Sequence, residues 1–210
     1  MSPQRPHEPV LCLASASPRR RQLLAQLGVS HVLAAPEIDE APLAGEAAAD
    51  YVVRIARAKA CSAPARATGL PVLAADTSVV LDGTICGKPR NAEQGVAMLL
   101  ELSGHTHTVL TAVALLAGGS LQHRVSASEV RFRTLSHAEC SAYWESGEPH
   151  DKAGGYALQG RGAMFVEHLS GSYSGVVGLP LFETAQLLEA AGLLGSRDAG
   201  WQQAVGELAR

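Results

Sequence analysis

The stretch LASASPRRRQLL, residues 13–24, runs from an apolar segment through a turn of small residues into a helix start. Ser17 suits the N-cap and Pro18 the first helical position, while Leu23, Leu24 and Leu27 form an apolar stripe that Gly28 closes. The charge is of the wrong sign for such a place. A helix N-terminus carries roughly +0.5 charge and favours acids, yet Arg19, Arg20 and Arg21 crowd it. With Val10–Ala14 as a short buried strand ahead of it, the segment reads as strand, small-residue loop and helix N-terminus, the usual build of a phosphate cradle. Ser15 and Ser17 hydroxyls, free backbone N–H groups and Arg19 or Arg20 would converge on the anion, with Arg21 turned to solvent. The plain alternative is a solvated basic helix start.

The chain around this segment has 210 residues, enough for one domain with a sizeable core. Residues 10–195 are expected to form that domain. Residues 1–9 read as a flexible polar segment and 196–210 as a peripheral tail. A formal charge of −3 argues against a general nucleic-acid binder, so any basic site is local. Cys12, Cys61, Cys86 and Cys140 are widely spaced, which disfavours a zinc site or a disulfide framework and fits a reduced, cytoplasmic setting. No apolar run approaches the roughly 18 residues that span a bilayer, so a membrane partner is not expected.

The pattern predicts helices over 46–62 (ended by Pro64), from Asn91 to about Leu102, from Ser136, and over Leu181–Leu194. Strands are expected at Leu70–Ala75, Thr106–Leu116, Leu121–Thr134 and Ala163–Leu169. Asp82-Gly83 should turn a hairpin between Val79–Leu81 and Thr84–Cys86. Because strands and helices do not alternate strictly, the expected class is α/β of the mixed α+β kind: a mixed sheet with flanking helices, not a doubly wound parallel one.

Several charged residues stand out. Asp76 and Thr77 directly follow the Leu70–Ala75 strand, where α/β proteins commonly hold reactive side chains. A carboxylate there can ligate a divalent ion or take a proton from water. The loop with Glu37, Asp39 and Glu40 supplies Glu40 as the natural second carboxylate. Lys59 shares the apolar stripe of Val52, Ile55, Ala56 and Ala60; position alone leaves open whether it snorkels or rims an anion site. Lys88 sits in a stiff Gly-Lys-Pro loop. Lys152 and Gln159 lie among glycines, and the Gln159 amide has the donor and acceptor needed to read a base edge. The eight histidines show no metal spacing, and His105 and His107 read as structural or surface residues. No nucleophile elbow or Walker pattern is present.

Taken in order, LASASPRRRQLL, the acidic loop ending at Glu40, YVVRIARAKA (51–60), AADTSVV (74–80), CGKPRNAEQGVAMLLELSGHTHTVLTAV (86–113), EPHDKAGGYALQG (148–160) and GSYSGVVGLPL (171–181) closely resemble the Maf family of nucleoside triphosphate pyrophosphatases. The resemblance covers about residues 10–194. It implies the fold of inosine-triphosphate pyrophosphatases, an elongated mixed sheet split into two lobes around a cleft. It also implies hydrolysis of a nucleoside triphosphate to the monophosphate and pyrophosphate, dependent on Mg²⁺ or Mn²⁺. By motif, Asp76 would be the catalytic carboxylate, as base or as metal ligand with Glu40. Lys59 and Lys88 match the other charged positions, and Arg19, Thr77 and Gln159 the substrate-discriminating ones. Ser15 and Arg20 would join Arg19 on the phosphates. Ala75-Asp76-Thr77, where the 7-methyl-GTP branch reads Ser-Asp-Gln, makes the chain similar to the branch acting on dTTP and UTP, with modified pyrimidine nucleotides as a variant of that reading. Ala16 and Ser78 depart slightly from the family pattern. By family analogy a homodimer is expected. The competing class is a nucleotide-binding regulator of cell division arrest that acts through a protein partner.

Overall fold

A computed structural model describes residues 8–194; the tail expected at 196–210 and most of the N-terminal segment lie outside the described residues. Strand β1 (Leu11–Leu13) leads into helix α1 (Pro18–Ala25), β2 (His31–Leu33) and the acidic loop. Helix α2 (Ala48–Ala60) and a single turn, α3 (Ala63–Arg66), precede β3 (Val72–Leu81) and its hairpin partner β4 (Thr84–Cys86). Next come α4 (Ala92–Leu102), the long strands β5 (Thr106–Ala117) and β6 (Ser120–Phe132), and α5 (His137–Glu145). β7 (Val166–Ser170), α6 (Tyr173–Val177) and α7 (Leu181–Ala190) are the last elements among the described residues.

The seven strands form one mixed sheet in the order β2-β1-β3-β5-β6-β7, with β4 on β3. β1 is parallel to β2 and β3, and every other pairing is antiparallel. The expected mixed α/β class is therefore what the chain adopts. Local details differ. The segments expected as two strands around Asp76-Thr77 are one continuous strand, because nine residues of β3, Val72 to Val80, pair with β5 without a break. Asp76 and Thr77 thus lie mid-strand. Pro64 does not simply end a helix; it sits inside the turn of α3, where a missing N–H costs nothing. Residues 161–165 form a 3₁₀ turn before β7, and α7 stops at Ala190. β2 and α6, each of five residues or fewer, carry no periodicity long enough to read.

Side-chain alternation explains how the sheet holds its layers. The even residues Val72, Ala74, Ala112 and Ala114 meet Val52, Ala56 and Ala60 of α2. The odd residues Leu73, Ala75, Val113 and Leu115 pack against Leu23 and Leu24 of α1 and Leu187 and Leu188 of α7. Further along, Val79, Val109, Val130 and Phe132 form a separate core with Leu99, Leu102, Cys140, Tyr143 and Tyr156. Between the two odd-face cores the sheet turns polar: Thr77 pairs with Thr111, and Thr111 with Ser126. The long strands therefore join two separately packed lobes across a hydrophilic seam.

His107 belongs to the second core. Its Nε2 lies 2.9 Å from the Tyr156 hydroxyl and its Nδ1 has no hydrogen-bond partner among the described residues. Burial pushes the imidazole down from 6.5 to about 4. The unfolded chain thus takes up a proton near the ordinary histidine value that the folded chain refuses until about 4. Stability from neutral His107 is complete above that ordinary value and is lost as pH falls toward about 4, by about 3 kcal/mol in total. Urea denaturation across this interval is expected to show the loss in the wild type and a flatter profile in His107→Gln.

Candidate active site

The site is built on a gap in the sheet. One edge of β3 is covered by β5 along nearly its whole length. The other edge meets β1 only at Val72 and Leu73, and β4 only from Val79 to Leu81. Residues 74–78 therefore have no strand on that side among the described residues. Ala14 N–H donates to the Leu73 carbonyl across this edge, so by alternation the main-chain groups of Ala75 and Thr77 point into the opening. Asp76 and Thr77 face opposite sides of the sheet, and a ligand lying along the open edge reaches both.

On the α2 face, Lys59 is buried, 5% exposed, with its Nζ 2.8 Å from Asp76 Oδ1 and 2.9 Å from Glu40 Oε1. The lysine does not snorkel; it bridges two carboxylates. Burial outweighs the pull of Lys59 and Arg20 and holds the Asp76 carboxyl above its ordinary value. At Glu40 burial also pushes upward, but the Lys59 hydrogen bond and the charges of Lys59, Lys88 and Arg20 prevail and the carboxyl lies lower. The acidic loop reaches Lys59 because α2 holds it. Tyr51 donates its hydroxyl proton to the Glu40 carbonyl at 2.9 Å, and Arg54 bonds the Ala41 carbonyl at 3.0 Å and pairs with Glu46 at 2.6 Å. In the sequence Arg54 reads only as lying off the apolar stripe and Tyr51 only as part of the 51–60 segment, neither as a site residue, although their i, i+3 spacing places them on one face next to an acidic loop.

On the opposite face, Arg20 enters the seam. Its Nε donates to the Gly178 carbonyl at 2.8 Å and its Nη2 to Thr77 Oγ1 at 3.2 Å. Ser17 occupies the N-cap of α1 without a side-chain bond. Its N–H instead donates to Ser15 Oγ at 3.1 Å, so Ser15 shapes the turn. Arg21 is exposed.

The second lobe supplies the facing wall. Gly154 N–H donates to the Gly87 carbonyl at 3.1 Å, which fastens the loop of Lys152 to that of Lys88. Lys88 is exposed and in no ion pair among the described residues, whereas Lys152 pairs with Asp151. The Lys152 ammonium is lowered by burial and by the charges of Arg19 and Lys88, which lie close enough to act on it. Arg19 in turn feels Tyr143 and Glu148 from across the cleft. Glu148 accepts from the Tyr143 hydroxyl at 2.7 Å and from the N–H groups of Arg161 and Gly162 at 2.9 and 3.0 Å, which fixes the turn after Gln159. Gln159 itself is exposed, between Leu158 on the first core and Glu148's loop. Structure thus gathers Glu40, Lys59 and Asp76 in direct contact and sets Arg20 and Thr77 beside them. Lys88 and Arg19 lie close enough to act on Glu40 and Arg20 respectively, while the exposed Gln159 has no hydrogen bond to any of these groups among the described residues.

Among the described residues no three His, Cys, Asp or Glu side chains gather as a metal cage. Two carboxylates with an adjoining phosphate suffice for Mg²⁺, which keeps much of its hydration; Glu40 and Asp76, each with one oxygen on Lys59, fit that requirement. A groove of about 510 Å³ on the outer face of α2, lined by Asp50, Arg57, Cys61 and Leu121, has no buried acid and offers no comparable chemistry.

The family profile described as Maf-like protein matches residues 10–191. The chain belongs to the Maf family. It is 54% identical over 184 residues to a dTTP/UTP pyrophosphatase of Methylococcus capsulatus, covering 87% of this chain and 91% of that one. It is 56% identical over 184 residues to a protein of the same name from Myxococcus xanthus, covering 88% and 93%. A Bordetella avium dTTP/UTP pyrophosphatase is 51% identical over 196 residues, covering 89% and 98%.

In this Maf chain Lys59 is the element that makes two nearby carboxylates tolerable. Lys59→Met is expected to raise the carboxyl pKa of both Asp76 and Glu40 and to destabilise the fold by about 3–5 kcal/mol at neutral pH. The raised Asp76 lets the deficit shrink as pH falls and the acid takes up a proton. Carbon-detected carboxyl titration with urea denaturation at two pH values checks both; unchanged titration midpoints would contradict the bridge.

Proposed function

We propose that this chain hydrolyses dTTP and UTP to the nucleoside monophosphate and pyrophosphate at the open edge of β3. The observation that carries the reading is the buried lysine held between Asp76 and Glu40 beside an edge ringed by cations. A triphosphate carries about four negative charges, and positioned cations lower the barrier to its cleavage most. Arg19 from one lobe and Lys88 and Lys152 from the other take the phosphate chain. Arg20 adds its charge while remaining anchored to Gly178 and Thr77, and Ser15 holds the turn that presents these arginines.

Asp76 Oδ1 is fixed by Lys59, and Oδ2 has no hydrogen bond among the described residues. Oδ2 accepts a proton from the attacking water as the new O–P bond forms at the α-phosphorus. The bond from the α-phosphorus to its bridging oxygen breaks, and pyrophosphate leaves between Lys88 and Lys152. Lys59 keeps Asp76 ionised and aimed. A divalent cation, Mg²⁺ or Mn²⁺, would be held by Glu40 and Asp76 and would supply charge neutralisation and polarisation of water. Thr77, partly exposed at the open edge, and the exposed Gln159 read the base. A binding-only regulator would have no use for a desolvated acid held next to its own cation, which favours turnover.

We place the catalytic unit at residues 10–195 and the enzyme in the cytoplasm, in keeping with its scattered cysteines, with a homodimer as the assembly suggested by the family. No helix among the described residues is long and apolar enough to cross a membrane.

Asp76→Asn is expected to lower pyrophosphate release from UTP by at least about a thousandfold. It should not lower the melting temperature at neutral pH, because burial already disfavours the ionised form it removes. In the metal-free protein the Asp76 carboxyl should titrate above the ordinary aspartate range. Near-wild-type turnover by Asp76→Asn, measured as pyrophosphate release with Mg²⁺ or Mn²⁺, would overturn the assignment.

A further inference from the structure

Thr111 is fully buried on β5, directly opposite Thr77. Its Oγ1 lies 2.8 Å from the Gly175 carbonyl and 3.0 Å from Thr77 Oγ1. A hydroxyl has one proton and a carbonyl has none. The Thr111 proton therefore goes to Gly175, and Thr111 can meet Thr77 only as an acceptor. Thr77 in turn gives its proton to Thr111 and receives an N–H from Arg20 Nη2 at 3.2 Å. The chain runs in one direction: Arg20 to Thr77, Thr77 to Thr111, Thr111 to Gly175. Its far end is secured by α6, where Gly175 N–H donates to Ser172 Oγ at 3.0 Å and Ser172 N–H to Ser128 Oγ at 2.9 Å. Its near end is secured by Arg20 Nε on Gly178.

Thr77 is partly exposed at the open edge. With its proton committed and one lone pair taken by Arg20, what it presents outward is an acceptor. Uracil and thymine carry a hydrogen on N3, whereas cytosine has a lone pair there. An acceptor with no proton to give bonds the first two and meets cytosine N3 lone pair to lone pair. We propose that Thr111 is a positioning residue that holds Thr77 as an acceptor toward the base and so selects uracil and thymine over cytosine. This rests on the reading of Thr77 as a base contact.

The test compares kcat/KM for UTP and CTP in Thr111→Ala and Thr111→Ser, which lose the same methyl group and differ by the hydroxyl. Thr111→Val serves as a second variant without the hydroxyl but with nearly the original volume, and thermal melts establish that each is folded. Thr111→Ala and Thr111→Val free the Thr77 proton and should lower the UTP-to-CTP ratio by about tenfold or more; Thr111→Ser should retain it. An unchanged ratio in both hydroxyl-free variants overturns the proposal, as does an equal fall in Thr111→Ser, which would assign the effect to packing. Thr77→Val separates the two readings. If it shifts the ratio while Thr111→Ala does not, Thr77 reads the base without Thr111; if neither shifts it, the base contact at Thr77 fails and the proposal with it.

Discussion

The constraint on which the site depends is the placement of one buried lysine, Lys59, between the buried carboxylate of Asp76 and the more exposed one of Glu40. A buried acid such as Asp76 beside a second carboxylate takes up a proton unless a cation intervenes. Lys59 arrives from α2, whose apolar stripe is held against the sheet by Val52, Ala56 and Ala60. Packing of small residues thus fixes the height of a charge. Tyr51 and Arg54 on the same helix hold the loop that brings Glu40 to it. The electrostatics of the site is a consequence of how one helix lies on one sheet.

A second constraint is the interrupted edge of β3. β1 is too short and β4 starts too late to cover residues 74–78. Such an edge is normally a liability, since unpaired main-chain groups invite another strand. Here it is flanked on one face by Lys59 and Asp76, on the other by Arg20 and Thr77, and guarded by cations from both lobes. A triphosphate suits that environment better than a peptide strand does. The three arginines after Ser17, which look misplaced on a helix N-terminus, divide accordingly: Arg19 faces the cleft, Arg20 braces the seam and Arg21 meets solvent.

Much of this was legible in the sequence because it rests on local signals. Capping pairs at Asn91 and Ser136, the Asp82-Gly83 turn and the alternation along β5 and β6 mark elements that the fold contains. Glu40, Lys59 and Asp76 stood out through chemistry and resemblance. Their direct contact did not, since it depends on pairings far apart in sequence. The break expected at Asp76-Thr77 was wrong for a related reason: polar residues mid-strand look like a strand end when the partner strand, β5, is not yet in view. The directional chain through Thr111 was invisible, because a threonine among Val, Leu and Ala on a strand is ordinary by composition and gains its role only from register.

The central claim is that the nucleotide lies along the open edge of β3. Amide hydrogen exchange with a UTP analogue whose α–β bridge cannot be cleaved tests it directly. The N–H groups of Ala75 and Thr77, which point into the opening, should be protected on binding, with protection extending to the 86–90 loop and the start of α1. Protection confined to the outer groove of α2 around Arg57 and Cys61, with Ala75 and Thr77 unaffected, would contradict it.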